Sequence, residues 1–333
     1  MDTFVVPDER AGLELDEFVC LQFPGLSKGF LRQEIGVGNI LLDGVAVQPG
    51  KRLRAQQVVI ATIDWERAPQ RPVAPGVAIP VLHEDEHVLV VDKPADLAVE
   101  PERWKRELGS LAGALLQLAE EEENAPDGSL VYRPRLVHRI DKDTTGAVIV
   151  AKDIETERAL RQAFEAGTIS KSYLALVEGE PYLRDDETMM IEHPIGPELR
   201  KTGRMRVAAD GKPSATRVGY AERFDGFSLL RCEPLTGRTH QIRVHLSHEG
   251  FPLVVDPYYG RRSEFKLSEF KASYRPKRGQ TERPLIDRLT LHAHEVVLPP
   301  LGERTEELRV VAPVPKDLAR VLKQLRKIRP SRF

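Results

Sequence analysis

The chain has 333 residues, 41% apolar and 30% charged, with 49 basic and 51 acidic side chains and a formal net charge of -2. This composition excludes a disordered or fibrous protein and favours a cored, soluble chain of two domains. The balance of charge leaves room only for a local basic surface, not a uniformly basic one. Cys20 and Cys232 are the only cysteines, so no zinc spacing exists, and free thiols in a reducing compartment fit better than one disulfide.

The segment from Met1 to Glu9 lacks the basic and apolar parts of a secretory signal, and no stretch approaches a membrane span. Leu13, Leu15, Phe18, Val19 and Leu21 have helical spacing, which stops at Pro24-Gly25. Ser27 is placed to cap a second helix, Lys28 to Ile35, ended by Gly36 and Gly38. Lys28 and Arg32 lie four apart and share a face. Ile40-Leu41-Leu42, Asp43-Gly44 and Val45-Ala46-Val47 read as a hairpin. Val58-Val59-Ile60 then closes a small domain of residues 1–65. Pro69, Pro72, Pro75 and Pro80 forbid a helix over 66–80 and make it an extended linker.

Residues 81–333 form the larger domain. Val81 to Asp85 and Val88 to Val91 read as a hairpin, and Leu108 to Ala119 as a helix ending in the acidic run Glu120 to Glu123. Arg135 to Gly146 then packs bases, an imidazole and carboxylates directly before the apolar, β-branched strand Ala147 to Ala151. Asp141 or Asp143 could be a simple turn residue, but so many charges leading into a core strand suggest a site on a rigid scaffold. A helix over Glu155 to Ala166 precedes a strand, Ile169 to Val177, with Lys171, Tyr173 and Ala175 on one face. Residues 185–215 read as an irregular hairpin carrying the basic run Arg200 to Arg206. Ile242, Val244 and Leu246 alternate with Gln241, Arg243 and His245 as in a half-buried strand. On a strand, His240 and His245 would face opposite sides, which argues against a metal site. Residues 261–283 read as a mobile basic insert, and Leu318, Val321, Leu322 and Leu325 as an amphipathic helix.

His138-Arg139-Ile140-Asp141 followed by Thr144-Thr145-Gly146 resembles the signature of the RluA-type pseudouridine synthases, with Ile140 for the usual leucine and Thr145 for the usual serine. Asp92-Lys93-Pro94 matches a second motif of that family, which ordinarily continues with a glycine and a later histidine where this chain has Asp96 and Glu100. Leu235-Thr236-Gly237-Arg238-Thr239-His240-Gln241-Ile242-Arg243 resembles the third, and Asp256-Pro257-Tyr258-Tyr259-Gly260 also fits. Residues 13 to 63 resemble the S-four-like RNA-binding module. The resemblance implies an α+β fold, a mixed, mostly antiparallel sheet with a central cleft, plus a small N-terminal α/β RNA-binding domain.

The implied reaction converts uridine in RNA to pseudouridine and needs neither cofactor nor metal. By the same resemblance Asp141 is the catalytic carboxylate, Tyr173 stacks on the flipped base and Arg238 is the basic partner of Asp141. Lys28, Arg32, His138, Arg139, Thr144, His240 and Arg243 are the expected RNA contacts. The expected partner is RNA, ribosomal ahead of transfer RNA, with no membrane, for a cytoplasmic monomer. Which atom Asp141 engages stays open. One alternative is an inactive RNA-binding or ribosome assembly factor of the same fold. Another is a glycoside hydrolase using Asp141 and Asp143, but carboxylates two apart in one turn suit that chemistry poorly.

Overall fold

The computed structural model describes residues 1–69, 74, 76–101, 109–121, 129–184, 186–198, 203–275, 281–302 and 304–331. Pro72 and Pro75 of the expected linker, the acidic run beyond Glu121, Arg200 to Thr202, and Lys277 with Arg278 lie outside the described residues. The chain divides into two compact units, Met1–Ala78 with Ala98–Leu136, and Ile79–Leu97 with Val137–Phe333.

In the first unit, helices Leu15–Gln22 and Lys28–Gly36 pack beside an antiparallel sheet ordered Asp2–Val5, Val58–Ala61, Ile40–Leu42. Their spacing puts Leu15, Phe18, Val19, Leu31 and Ile35 into one core with Ile40 and Val59, and the Ser27 hydroxyl caps the second helix by accepting from Phe30 N at 3.2 Å. The expected hairpin is only partly made. Asp43 and Gly44, both at positive φ, turn the chain tightly, but only Leu42 bridges Val45. Ile40–Leu42 pairs instead with Val58–Ala61, because the Asp43 carboxylate accepts from Val58 N at 2.8 Å and draws that strand in. The strand Asp2–Val5 carries no clear alternation and was not expected.

The helix Leu111–Glu121 belongs to this first unit, not to the catalytic part in which it was expected. Leu116 and Leu130 pack on Leu21, Arg133 donates to the Leu26 carbonyl at 2.9 Å, and Arg135 pairs with Glu17. A boundary read from proline spacing alone misses a segment that returns by apolar contact.

The second unit is built on a sheet ordered Val81–Glu84, Val88–Lys93, Thr145–Ala151, Leu291–Leu298, Ser170–Glu178, Phe227–Pro234, Thr216–Phe224, Thr188–Ile191. All these pairs are antiparallel except Thr145–Ala151 with Leu291–Leu298, so the expected mixed, mostly antiparallel sheet is present. At the parallel junction Gly146 has φ +114, and a Cβ there would lie 2.1 Å from the Ala293 carbonyl oxygen. Only glycine lets the two strands close up, and that closure fixes the exit of the 138–146 motif.

Two expectations fail here. Residues 241–246 are not a strand but the start of the helix Gln241–His248, entered from His240 at φ 56. The alternation of Ile242, Val244 and Leu246 fits a helix buried on most of its circumference equally well; Gln241 to Leu246 are all buried. The 261–283 insert is not a free basic loop either. Phe265 and Phe270 stack at 5.0 Å in a core with Ile286 and with Leu318, Val321, Leu322 and Leu325 of the helix Lys316–Ile328. Among the described residues no helix is long and apolar enough to cross a membrane.

Candidate active site

The 138–146 motif is held from beneath by Lys93. Its side chain is fully buried, and Nζ donates to the carbonyls of Pro94 (2.7 Å), Leu97 (2.8 Å) and Lys142 (2.8 Å). Burial brings the Lys93 pKa down to about 7, against the opposing pull of Asp143 and Asp141. Asp96 has φ 57, the left-handed region that suits the glycine of the related motif and that aspartate also tolerates. Its carboxylate pairs with Lys142 at 3.0 Å, so it adds a clamp to the loop.

Asp141 stands at the wall of a cavity of about 120 Å³ that Arg139, Thr144, Lys171, Tyr173, Arg238, His240 and Arg243 also line. Its side chain keeps 22% exposure. The guanidinium that meets it belongs to Arg243, whose Nη1 donates to Asp141 Oδ2 at 2.9 Å. The remaining fork of Arg243, Nε and Nη2, grips Asp256 at 2.8 and 2.9 Å. Asp256 is held in turn by the backbone N–H groups of Tyr258 and Tyr259. Burial opposes the Arg243 charge, but the two carboxylates outweigh it and its pKa is raised. Arg243 is therefore a permanently charged, immobile partner for Asp141.

Arg238 does not play that part. Its Nε donates to the Pro213 carbonyl at 3.1 Å, while its backbone N–H donates to Gln241 Oε1 at 3.0 Å. The strand assignment hid this. On the helix Gln241–His248 Arg243 reaches Asp141, whereas Arg238 stays in the preceding loop on the wall of the same cavity.

Tyr173 lines the same cavity. Burial and the nearby Asp141 charge push its phenol pKa up, so it stays protonated. The Tyr259 hydroxyl accepts from Met205 N at 2.7 Å and sits 2.8 Å from His240 Nδ1. Tyr259 is then the donor to Nδ1, which leaves the His240 proton on Nε2, 4.0 Å from Asp141 Oδ2. Burial lowers the His240 pKa although Asp141 opposes it.

The other expected RNA contacts divide. Arg139 and Thr144 line the cavity. His138 does not reach it: its Nε2 accepts from Ile149 N at 2.8 Å and its ring lies 5.1 Å from Phe164. Burial and the Lys171 charge bring its pKa to about 3, so it is a neutral acceptor tying the motif to the strand, not a cation for phosphate. In the first unit, Lys28 is paired with Asp16 and Glu17, and Arg32 with Asp16 at 2.9 Å. Both carboxylates are buried, so these two bases neutralise the module's own interior charge. Their outer surfaces stay open, with side chains 36% and 51% exposed.

His193, His248 and Glu249 form a group that could hold a metal ion among the described residues, with His193 Nε2 2.8 Å from Glu249 Oε1. None of the three lines the Asp141 cavity. His245 is buried and committed to Thr216 Oγ1 at 2.9 Å.

A family model described as RNA pseudouridylate synthase matches residues 87–248, a span that contains Lys93, Asp141, Tyr173 and Arg243. The chain is 36% identical over 325 residues to ribosomal large subunit pseudouridine synthase D of Xanthomonas campestris, covering 97% of this chain and 92% of that protein. It is 31% identical over 336 residues to ribosomal large subunit pseudouridine synthase C of Escherichia coli, covering 96% and 95%. Among solved structures, human RNA pseudouridylate synthase domain containing 1 aligns with a TM-score of 0.52 at 26% identity, over 73% of this chain and 87% of that one.

Proposed function

This chain belongs to the RNA pseudouridylate synthase family and is an isomerase acting on uridine in RNA, and we propose that its substrate is large-subunit ribosomal RNA with Asp141 as the catalytic carboxylate. The observation that carries the assignment is the placement of one carboxylate, ionically held by Arg243 yet still partly open, on a cavity it shares with Tyr173. The two relatives named above act on ribosomal large subunits by name, and this chain covers nearly their full length.

The target uridine leaves its stack to enter the cavity. Tyr173 stacks on the extruded base, worth roughly 1–3 kcal/mol. Asp141 engages the nucleotide while the glycosidic bond breaks, the base turns and C5 joins the sugar. Arg243 holds Asp141 aimed, and His240 offers an N–H on the same side. Arg139 and Arg238 at the mouth, and the outer surfaces of Lys28 and Arg32 in the small module, contact phosphates without reading sequence. A monomer in the cytoplasm is the setting that goes with this substrate.

The test is a pseudouridine map of total RNA, by carbodiimide labelling, from cells with and without this gene. Sites lost from large-subunit ribosomal RNA on deletion, and restored by the wild-type chain but not by Asp141→Asn, support the reading. Losses confined to transfer RNA would overturn the ribosomal assignment and leave the reaction standing.

A further inference from the structure

The buried and half-buried cations of this chain mostly have evident partners. Lys93 has three carbonyls, Lys152 has Glu84, and Arg243 has Asp141 and Asp256. Lys171 differs. It lines the reaction cavity beside Tyr173, on the same face of the strand Ser170–Glu178. Among the described residues it makes no hydrogen bond or ion pair, and its ammonium only rests on the Phe164 ring at 5.4 Å. Burial lowers its pKa with no carboxylate opposing the shift. A second group in the same cavity is also unsatisfied: Thr144 is 1% exposed, and its hydroxyl has no hydrogen-bond partner among the described residues. A cation and a hydroxyl left unpaired in one pocket are costly unless a ligand supplies their acceptors.

We propose that Lys171 is a catalytic residue that stabilises the uracil anion formed during the isomerisation, with the Thr144 hydroxyl holding the detached base in place. The proposal rests on the isomerase reading. When the C1′–N1 bond breaks, its electron pair stays on the uracil, delocalised over N1 and the two carbonyl oxygens. The positive charge left at the sugar is met by the Asp141 carboxylate. The base turns, C5 bonds to C1′, and the proton displaced from C5 is balanced by the one taken up at N1. Nothing is gained or lost overall. The anion exists only between the two bond events, so a cation without a resident counter-ion is the group whose interaction strengthens as the bond breaks. Lys171 is paired by the reaction, as Arg243 is already paired by the protein.

The test uses the full chain and total RNA labelled with tritium at uridine C5, taken from cells lacking this gene; tritium release reports turnover. Lys171→Met should lower kcat by about 10²–10³-fold, the scale of removing one charge-stabilising donor, with KM for the RNA changed by less than about twofold. Lys171→Arg should recover at least about tenfold of that loss. Thr144→Val should cost about tenfold in kcat/KM. In RNA carrying 5-fluorouridine the ring fluorine itself stabilises the anion; C5 still bonds to C1′ but keeps its fluorine, and water adds across the N1=C6 bond that results. Consumption is therefore read as loss of 5-fluorouridine from a nuclease digest, and there the Lys171→Met deficit should shrink. If Lys171→Met melts early, Lys171→Gln under the same pair of RNAs gives the same comparison. Turnover by Lys171→Met within about threefold of wild type, a loss confined to KM, or equal deficits on the two RNAs would overturn the proposal. A wild-type chain that releases no tritium overturns the isomerase reading itself, and that outcome is visible before any variant is made.

Discussion

Two ion-pair clusters, one in each unit, solve the same problem to opposite ends. In the first unit Asp16 and Glu17 are buried with Arg135 beside them, and two of the bases around them, Lys28 and Arg32, carry the exposure. In the second unit the base is buried, with the Arg243 side chain 6% exposed, and the carboxylate of Asp141 keeps 22%. Burying a charge demands a partner in either case. What differs is which partner is left facing a cavity. Where the acid is sealed the carboxylates can only hold the fold. Where the acid is presented and the base sealed, the carboxylate is aimed and reachable, which is what a reactive group needs.

The contrast is broken most severely at position 141. Asp141→Asn should retain the fold and RNA binding while conversion falls by more than about 10⁴-fold, the scale of losing a reacting group. Tritium release and a melting curve on the same preparation check both halves. The next largest effect tests which arginine matters. Arg243→Ala strands Asp256 in the interior, so it should destabilise the protein by about 3–5 kcal/mol as well as silence it. Arg238→Ala leaves the Asp141 pair intact and should lower kcat/KM without moving the melting temperature. Equal melting temperatures for the two variants would undo the assignment of Arg243 as the buried partner.

The same contrast explains what could be read in advance. The charged turn Arg135 to Gly146 entering an apolar strand marks a site on a scaffold, and alternation along Lys171 to Ala175 puts Lys171 and Tyr173 on one face, but the roles of Asp141 and Tyr173 and the sheet class follow only from the family resemblance. The resemblance implies Arg238 as the partner of Asp141 and Arg243 as an RNA contact, and the strand-like alternation of Gln241 to Leu246 gives no reason to exchange the two. That pattern cannot distinguish an edge of sheet from a short helix buried nearly all round. Lys93 stands in a family-like motif, but its role gave no signal, since its three acceptors are backbone carbonyls brought together by the fold. Asp256 sits 13 residues from Arg243, and nothing in spacing says that a helix and a following turn will meet. The return of Leu111–Glu121 to the first unit was hidden for the same reason: its partners, Leu21 and Leu130, are apolar and unspecific.

Gly146 sharpens the comparison from the side of the backbone. Gly146→Ala drives a methyl to 2.1 Å from the Ala293 carbonyl and forces a φ that side chains resist. Separating the two parallel strands should cost about 1–3 kcal/mol and drag the Asp141 loop with it. The expected readout is a lowered urea midpoint together with a fall in kcat of about tenfold or more. Gly167→Ala offers a control, because its positive φ lies at a helix end with nothing within 4 Å. It should show the conformational penalty alone and leave kcat unchanged.

The smallest expected effect separates the two clusters by pH. Lys28 and Arg135 hold the Glu17 pKa below its ordinary value of 4.5, although burial pushes the other way. A depressed folded pKa means that the unfolded chain takes up its proton first. The stabilisation from Glu17 is therefore complete above pH 4.5 and drains away as the pH falls through the lower, folded value. His292, buried between Thr145 and Ala312, is also depressed, by burial, to about 4. Its contribution is complete above about pH 6.5 and is lost between there and about 4. Urea titrations at stepped pH should thus show the wild type weakening first below about pH 6.5 and again below 4.5. Glu17→Gln should shrink the lower of the two losses, and His292→Asn should shrink the upper one, to which the buried His138 and His240 also contribute. A Glu17→Gln curve with an unchanged slope below pH 4.5 would mean that the buried acid of the first unit is not held ionised, and the symmetry drawn between the two clusters would fail.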